Sequence, residues 1–377
     1  MTARLHTPAV TLVAVESGAI KIREAVAADN EALLQLTRET PMAGKISLRI
    51  DRDPDFFALP QARGETKVFV ATFEDKIIGC MSASIQTDYV RGVLERVAHA
   101  TDLKVHPDFT GRRLAVRLIS TIENYVRDCG VDLSFSLVAD GNQRVMVLCE
   151  GRHATPVQVM LGRFLVDQIL PSPFARRSKR YRVEEAEAKD LPEIAELLDR
   201  KHRQLNFAPP VAAGDLERAV AGPPHFRKMM VVRESGHVIA TLTVEDTQHL
   251  RQNVLVGLPP YLHVVLGLLR ILTLPVPGWR IPRVGEPFAN LYVRFFACRE
   301  GHEEALHCLL AQARVEAFRH RFTFLSIGIH EHDPLRSLVS GLARLGFTSR
   351  AMATSVIQQG RVKSLTDQIP YEDYALV

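Results

Sequence analysis

Hydrophobic and polar positions along the chain change their period several times, and each change predicts a secondary-structure element. Thr101, Leu103 and Val105 stand at alternate positions, which is typical of a half-buried strand. A Pro and a Gly then interrupt the alternation, and apolar residues recur at helical spacing over 114–126. Gly130 marks the end of this predicted helix. The segment therefore predicts a strand, a tight turn and an amphipathic helix.

The whole succession of elements repeats. Residues 22–36 align with 183–197, and 67–84 align with 228–245, both at a constant offset of 161 residues (183 less 22). Each copy begins with a short strand, continues with a helix opened by an aspartate at its N-cap, and is followed by a predicted hairpin. The two aspartates are Asp29 and Asp190. We therefore expect two copies of one fold.

The second copy contains an insertion that the first lacks. Residues 112–119 align with 302–309 at the larger offset of 190, and 190 less 161 leaves 29 additional residues, which fall within about 249–283. The centre of the insertion, 254–276, is mostly apolar, but its two consecutive prolines would break a membrane-spanning helix. We interpret it as a buried or interface-forming segment and a candidate contact in a homodimer, not as a transmembrane span.

The repeat predicts the domain organisation. We expect an N-terminal domain over 18–170, a linker over 171–182, a second domain over 183–359 and a C-terminal tail over 360–377. The linker combines prolines with five basic residues, which we interpret as an exposed, solvated crossing. Two domains also agree with the length of 377 residues.

Composition narrows the class of protein. The 47 basic and 43 acidic side chains leave a net charge of only +4, too small to indicate nucleic-acid binding through bulk charge. The five cysteines are scattered and lack C-x-x-C spacing, so neither a disulfide framework nor a zinc site is expected. The N-terminus lacks the pattern of a signal peptide. We expect a cytoplasmic protein without a metal.

The turn after the predicted strand is a candidate anion site. Free backbone N–H groups in a tight turn, together with the positive end of a helix dipole, suit a pyrophosphate. Arg112 and Arg113 add positive charge beside it. Many α/β loops share this geometry, so the physical argument alone leaves the ligand open.

The run LKVHPDFTGRRLA, from Leu103 to Ala115, resembles the acyl-CoA motif of the GNAT superfamily of N-acetyltransferases. In that motif a strand ending in V-x-P precedes R/Q-x-x-G-x-G/A. The resemblance implies an α/β (α+β) fold of two tandem GNAT-like domains, each a mixed, mostly antiparallel sheet flanked by helices. It also implies acetyl-CoA or another acyl-CoA as co-substrate. Thr110 and Arg113 depart from the motif, and Arg113 replaces a glycine that can adopt positive φ.

The resemblance assigns the co-substrate contacts by position. The pantetheine arm would lie along the strand, and the loop N–H groups would surround the pyrophosphate. The strand residues are Leu103, Lys104 and Val105, the loop residues are Thr110, Gly111, Arg112, Arg113, Leu114 and Ala115, and a further family position falls on Asn142.

Catalytic candidates follow from the same resemblance and from the chemistry. A family tyrosine that protonates the departing thiolate is replaced by Cys149, which could donate a proton itself, leave that role to water, or be a small buried residue. An attacking amine also needs a base. We expect His99 in this role, on one strand face with Leu103 and Val105, and Glu95 as second choice. The alternative is a strand histidine satisfied by its neighbours.

The second copy is expected to have lost this chemistry. Glu300, Glu303 and Glu304 surround its loop glycine, where negative charge would repel a pyrophosphate. Its sequence over 330–333 alternates His with Glu and Asp, and we interpret it as a polar loop, not a metal site.

The acceptor region is expected over 45–57, where charged and aromatic side chains are mixed. These are Arg49, Asp51, Arg52, Asp53, Phe56 and Phe57. Such a mixture suits a polar acceptor as well as an ordinary surface loop. The combined expectation is an N-acetyltransferase that transfers acetyl from acetyl-CoA to an amine of a small molecule or peptide by direct attack. The alternative is a non-catalytic acyl-CoA-binding or regulatory protein.

Overall fold

The computed structural model describes residues 20–41, 47–151, 155–174, 178–220, 226–257, 263–264, 267–268, 270, 283–358 and 360–377. The strands are β1 (Lys21–Glu24), β2 (Ser47–Asp51), β3 (Glu65–Phe73), β4 (Lys76–Val90), β5 (Val93–Val105), β6 (Leu133–Ala139), β7 (Val159–Ile169), β8 (Val183–Glu185), β9 (Arg227–Glu234), β10 (His237–Asp246), β11 (Gln252–Gly257), β12 (Pro287–Phe288), β13 (Asn290–Cys298), β14 (Phe324–His330) and β15 (Arg344–Ser355). The helices are α1 (Asn30–Glu39), α2 (Ala58–Gln61), α3 (Leu114–Asp128), α4 (Gln143–Cys149), α5 (Leu191–His202), α6 (Ala213–Val220) and α7 (Glu303–Arg319).

Twelve strands form one sheet in the order β1-β3-β4-β5-β6-β15-β7-β14-β13-β10-β9-β8. Read inward from its two ends, the sheet shows the same succession of strands twice. We call residues 20–174 the first half and residues 178–377 the second half. Of the described strand pairs, only β5–β6 and β13–β14 are parallel. The predicted fold, a mostly antiparallel sheet flanked by helices, is confirmed.

The two halves exchange strands at the centre of the sheet. The last strand of the second half, β15, lies between β6 and β7 of the first half. The last strand of the first half, β7, lies in turn between β15 and β14. The halves also pair in a separate three-stranded sheet, where β2 of the first half pairs with β11 of the second. The predicted boundaries at 170 and 183 therefore describe the order of the sequence, while the sheet mixes strands from both sides of the linker.

The two predicted N-cap aspartates have a different role in the structure. Asp29 and Asp190 each close a short 3-10 turn that leads into α1 and α5. Their carboxylates accept the backbone N–H groups of Val26, at 2.8 Å, and Glu187, at 2.7 Å, three residues earlier. They make no side-chain cap to the helices themselves. Both aspartates occupy the predicted N-cap position of their helix, but in both copies the carboxylate bonds the preceding turn and not the helix.

The core of the first half has one layer on each side of the sheet. Leu118 and Ile122 of α3 pack on one face, against Ala98 of β5. Leu33 and Leu36 of α1 pack on the opposite face. Burying each of these leucine or isoleucine side chains contributes about 1.5–3 kcal/mol. The sheet is thus fixed between two helical layers, which sets the direction in which each strand residue points.

The structure bears on two expectations, which concern the cysteines and a membrane-spanning helix. Each of the five cysteines is a free thiol. Among the described residues, no helix has the length and apolar character required to cross a membrane. Most of the predicted insertion at 249–283 lies outside the described residues, although its beginning contributes β11.

Candidate functional site

The site begins where two parallel strands separate. β5 and β6 pair only over residues 97–99 and 133–135, and the last pair is His99 with Phe135. β5 then continues to Val105 without pairing to β6, so this edge of its backbone is available to a ligand. We call the space between the diverging strands the first-half cleft. Its closed end is the His99–Phe135 pair, and its open end is the loop before α3.

A bulge in β5 changes which side chains face the cleft. Asp102 has a φ of +61°, and the β4–β5 register shifts beside it. Because of the extra residue, Leu103 and Val105 pack with the α3-side core. His99 instead contacts Phe135 in a separate core cluster on the other side of the sheet. The prediction that His99 shares a face with Leu103 and Val105 is therefore wrong.

The loop at the open end forms a concave set of backbone donors. Gly111, at φ +81°, and Arg113, at φ +55°, both have left-handed backbone conformations. The N–H groups from Gly111 to Val116 find no acceptor among the described residues. Alternation of this kind turns successive N–H groups toward one point and favours an anion. Arg113 therefore adopts the conformation of the missing glycine, at a cost of about 1–2 kcal/mol.

The remaining predicted contacts surround this loop. The Arg112 and Arg113 side chains are exposed, and the Arg112 guanidinium lies 4.9 Å from the centre of the Phe109 ring. Leu114 is buried, so only its backbone can face a ligand, and Ala115 is half-buried in the first turn of α3. Thr110 stabilises the turn by donating to Pro107 O at 2.8 Å. Asn142 follows β6 and caps α4, where its side chain accepts the Val145 N–H.

The equivalent loop of the second half is occupied by its own side chain. Gly301 keeps its positive φ of +78°, but the next residue, His302, has a φ of −115°. The Glu303 carboxylate accepts the Gly301 N–H at 3.2 Å. A bound phosphate would need this same N–H group as a donor. The geometry supports the expectation that this half does not bind CoA, which stays a prediction.

The second half also fills its own cleft. β13 and β14 pair only over residues 290–292 and then separate, as β5 and β6 do. The C-terminal segment 370–374 lies between them and leaves a cavity of about 30 Å³. Tyr374 packs on Gly328, where any Cβ would overlap its ring. Tyr371 lies 4.5 Å from the His202 ring. The tail predicted over 360–377 is thus part of the core.

His99 lies in a buried polar network. Its Nε2 is 2.8 Å from Asp88 Oδ2, and its Nδ1 is 3.5 Å from Arg63 Nη1. Because a guanidinium can only donate, Nδ1 is the acceptor and Nε2 carries the proton given to Asp88. Arg63 is in turn held by Glu372, at 2.8 Å, and by Leu376 O, at 2.9 Å. Arg63 therefore links the predicted base to the C-terminal segment of the second half.

The other two catalytic candidates are placed apart from His99. Glu95 makes two short contacts to Arg361, at 2.6 and 2.7 Å, near the start of β5. Cys149 packs with Val138 and Met352, and burial raises the pKa of its thiol to about 11. A thiol in this environment is protonated and packs as a small apolar residue. Its role as a proton donor stays a prediction.

A buried ion pair joins the predicted acceptor region to β5. Arg52 Nη2 lies 2.5 Å from Asp102 Oδ1, and Asp102 also accepts the Ser82 hydroxyl at 3.1 Å. Burial favours a raised pKa for Asp102, but Arg52 and Lys104 outweigh it, and the pKa is lowered. Burial lowers the pKa of the Lys104 ammonium despite the opposing effect of Asp102. The sequence indicated Arg52 but gave no signal for Asp102, because its role depends on the bulge.

The rest of the 45–57 region is engaged in local contacts. Arg49 bonds Asp51 at 2.6 Å, and Arg38 bonds Asp53 at 2.5 Å. Phe56 is fully buried against α1, and Phe57 is half-buried. Lys45 lies outside the described residues. No group of His, Cys, Asp and Glu in the described part of the chain is arranged to hold a metal ion.

Comparisons with known proteins agree with this geometry. Residues 30–150 match the acetyltransferase (GNAT) family. The structure of Saccharomyces cerevisiae N-myristoyltransferase with bound myristoyl-CoA aligns over 91% of this chain and 84% of its own, with a TM-score of 0.60 and 11% identity. A GCN5-related N-acetyltransferase from Anabaena variabilis aligns over 90% of this chain and 73% of its own, with a TM-score of 0.51 and 12% identity. No curated protein matches the sequence.

The identities to the solved structures are low, so these likenesses concern the fold. The family match covers the segment that contains α1, the diverging strands and the loop before α3. Residues 30–150 therefore form a domain of the acetyltransferase (GNAT) family, and the chain as a whole has the fold of the N-myristoyltransferase and GNAT structures.

Proposed function

We propose that the protein is an acyl-CoA-dependent N-acyltransferase that uses the first-half cleft, with acetyl-CoA as donor and a small-molecule or peptide amine as acceptor. The observation that carries this proposal is the continuous path from the unpaired edge of β5 to the loop at Gly111 and Arg113. A linear ligand with an anionic end fits such a path. The strand supplies backbone hydrogen bonds, and the loop supplies N–H groups and positive charge.

The proposed chemistry is direct attack on the thioester. The amine nitrogen forms a bond to the acyl carbon, and the carbon–sulfur bond breaks to release CoA. A free N–H of β5 stabilises the negative charge that develops on the carbonyl oxygen. The proton of the attacking amine passes to His99, directly or through water, and the thiolate is protonated by Cys149 or water. Arg63 must leave Nδ1 before this atom can accept a proton.

The second half supports the first in this proposal. Its loop and its cleft are occupied by Glu303 and by the C-terminal segment, and it contributes β15 to the first-half sheet. The alternative function, a non-catalytic acyl-CoA-binding protein, is favoured by two observations. Cys149 replaces the tyrosine that the family uses as acid, and His99 is buried with its acceptor atom facing Arg63.

Two measurements separate these functions. Acetyl-CoA at saturating concentration is expected to raise the melting temperature of the protein, because a ligand that binds only the folded state stabilises it. Incubation with acetyl-CoA and a panel of amines is then expected to release CoA, detected with a thiol reagent. Stabilisation without release for any amine would favour the binding protein, and no stabilisation would contradict both functions.

The predicted base is tested by His99→Ala. We expect kcat to fall by about 100- to 10,000-fold and its pH dependence to change, while the affinity for acetyl-CoA is retained. His202→Ala is the matched control, since His202 is equally buried but belongs to the second half. An unchanged kcat and pH–rate profile for His99→Ala would leave His99 as a structural residue only.

A further inference from the structure

The closed end of the first-half cleft is capped by a side chain from the second half. Phe207, in the segment between α5 and α6, stacks on Phe135 with ring centres 4.7 Å apart and planes 20° from parallel. Both side chains are essentially unexposed, and both belong to one core cluster with Val97 and Leu133. The second half therefore contributes directly to the wall of the cleft.

The backbone around Phe207 is held firmly in place. Its N–H donates to Tyr89 O at 2.8 Å, and the Tyr89 N–H donates to Ala208 O at 2.7 Å. The Asn206 side chain accepts the Arg91 N–H at 2.8 Å, which adds a third bond between the halves. Phe207 itself has a φ of +62°, a conformation that an aromatic residue adopts only when its surroundings enforce it. These contacts set the position of the Phe207 backbone and therefore direct its ring toward Phe135.

The position of this ring pair relates to the acyl end of the co-substrate. Phe135 pairs with His99 at the point where β5 and β6 begin to diverge. A CoA thioester with its pyrophosphate at the Gly111 loop and its arm along β5 points its acyl group toward this closed end. Additional methylenes would have to enter the space of Phe135 and Phe207, in a core that is already closely packed.

We propose that Phe207 is the specificity-determining residue that limits the acyl group to short chains of about acetyl size. This inference rests on the proposed function, since it concerns the same cleft. It gives the second half a role in the reaction although its own loop is occupied by Glu303. That role is to limit the length of the acyl group. A pocket wall can impose such a limit, because one misplaced methylene changes discrimination by about 10- to 200-fold.

The test compares the dissociation constants of acetyl-, butanoyl-, hexanoyl- and octanoyl-CoA, measured by titration calorimetry on the full chain. The unaltered protein is expected to bind hexanoyl-CoA at least about 10-fold more weakly than acetyl-CoA. Phe207→Gly is expected to reduce that ratio by about 10-fold, because glycine keeps the positive φ and removes the ring. Phe207→Leu, which retains part of the side chain, is expected to change the ratio less and to keep the fold closer to its original stability.

Phe322→Ala is the matched control, since Phe322 is a buried phenylalanine in the core of the second half, away from the cleft. It is expected to lower the melting temperature but to leave the chain-length ratio unchanged. Equal binding of all four acyl-CoAs by the unaltered protein, or an unchanged ratio in both Phe207 variants, would overturn the role of Phe207 alone. Failure of every acyl-CoA to bind would overturn the proposed function as well.

Discussion

Replacing Arg112 and Arg113 together by glutamate is expected to weaken acetyl-CoA binding by about 100-fold or more. Each charge-assisted hydrogen bond to a phosphate contributes about 1.5–3 kcal/mol, and glutamates would add repulsion at the same place. Both side chains are exposed, so the fold should be retained. The dissociation constant by titration calorimetry, with the melting temperature alongside, checks this result.

The matched control reverses two charges in the linker, at Arg180 and Arg182. Arg182 is exposed, and Arg180 lies beside Tyr181 and Glu234, away from the cleft. The control should leave the affinity for acetyl-CoA within about twofold, because exposed ion pairs contribute only about 0–1 kcal/mol. Equal affinities of the loop variant and the unaltered protein would contradict the proposal that the pyrophosphate binds at this loop.

Arg52→Met is expected to lower the free energy of unfolding by about 3–5 kcal/mol at pH 7. Arg52 and Asp102 are only 6% and 3% exposed, so the substitution leaves a buried carboxylate without its cation. Adding Asp102→Asn should recover part of the loss, because the remaining group is then neutral. Urea denaturation of the two single variants and the double variant measures the coupling. A loss for the double variant equal to the sum of the two single losses would show that the pair is not coupled.

The loss of unfolding free energy caused by Arg52→Met is expected to depend on pH. In the unaltered protein the pKa of Asp102 is lowered, so its stabilising contribution is present above the unfolded value of about 3.9 and is lost as the pH falls toward the folded pKa. Without Arg52, burial dominates and raises the pKa of Asp102. The loss caused by Arg52→Met should therefore be full at pH 7 and shrink as the pH falls and Asp102 is protonated.

The sequence predicted those parts of the fold that depend on local patterns. The hairpins, α3 and the loop before it are encoded by neighbouring residues, and the repeat showed that they occur twice. The bulge at Asp102 is different, because a single positive-φ residue in a strand leaves no periodic signal. It reversed the face of Leu103 and Val105, and with it one prediction about the site.

Contacts between distant segments could not be predicted from one sequence. β7 and β15 would fit either half by their apolar pattern, and only pairing in space decides their neighbours. For the same reason the sequence did not indicate that Arg63 and Glu372 form a buried pair, or that Phe207 reaches Phe135. The predicted co-substrate loop needed only nearby residues, while the surroundings of His99 are assembled from both halves.

The exchange of β7 and β15 has a consequence for the order in which the chain can fold. During synthesis β6 and β7 emerge early, but the strand that lies between them ends only at Ser355. Until then both strands present unpaired backbone edges, which in other sheets promote association between chains. The ribosome must therefore translate the chain at least as far as Ser355 before the first half can close its sheet.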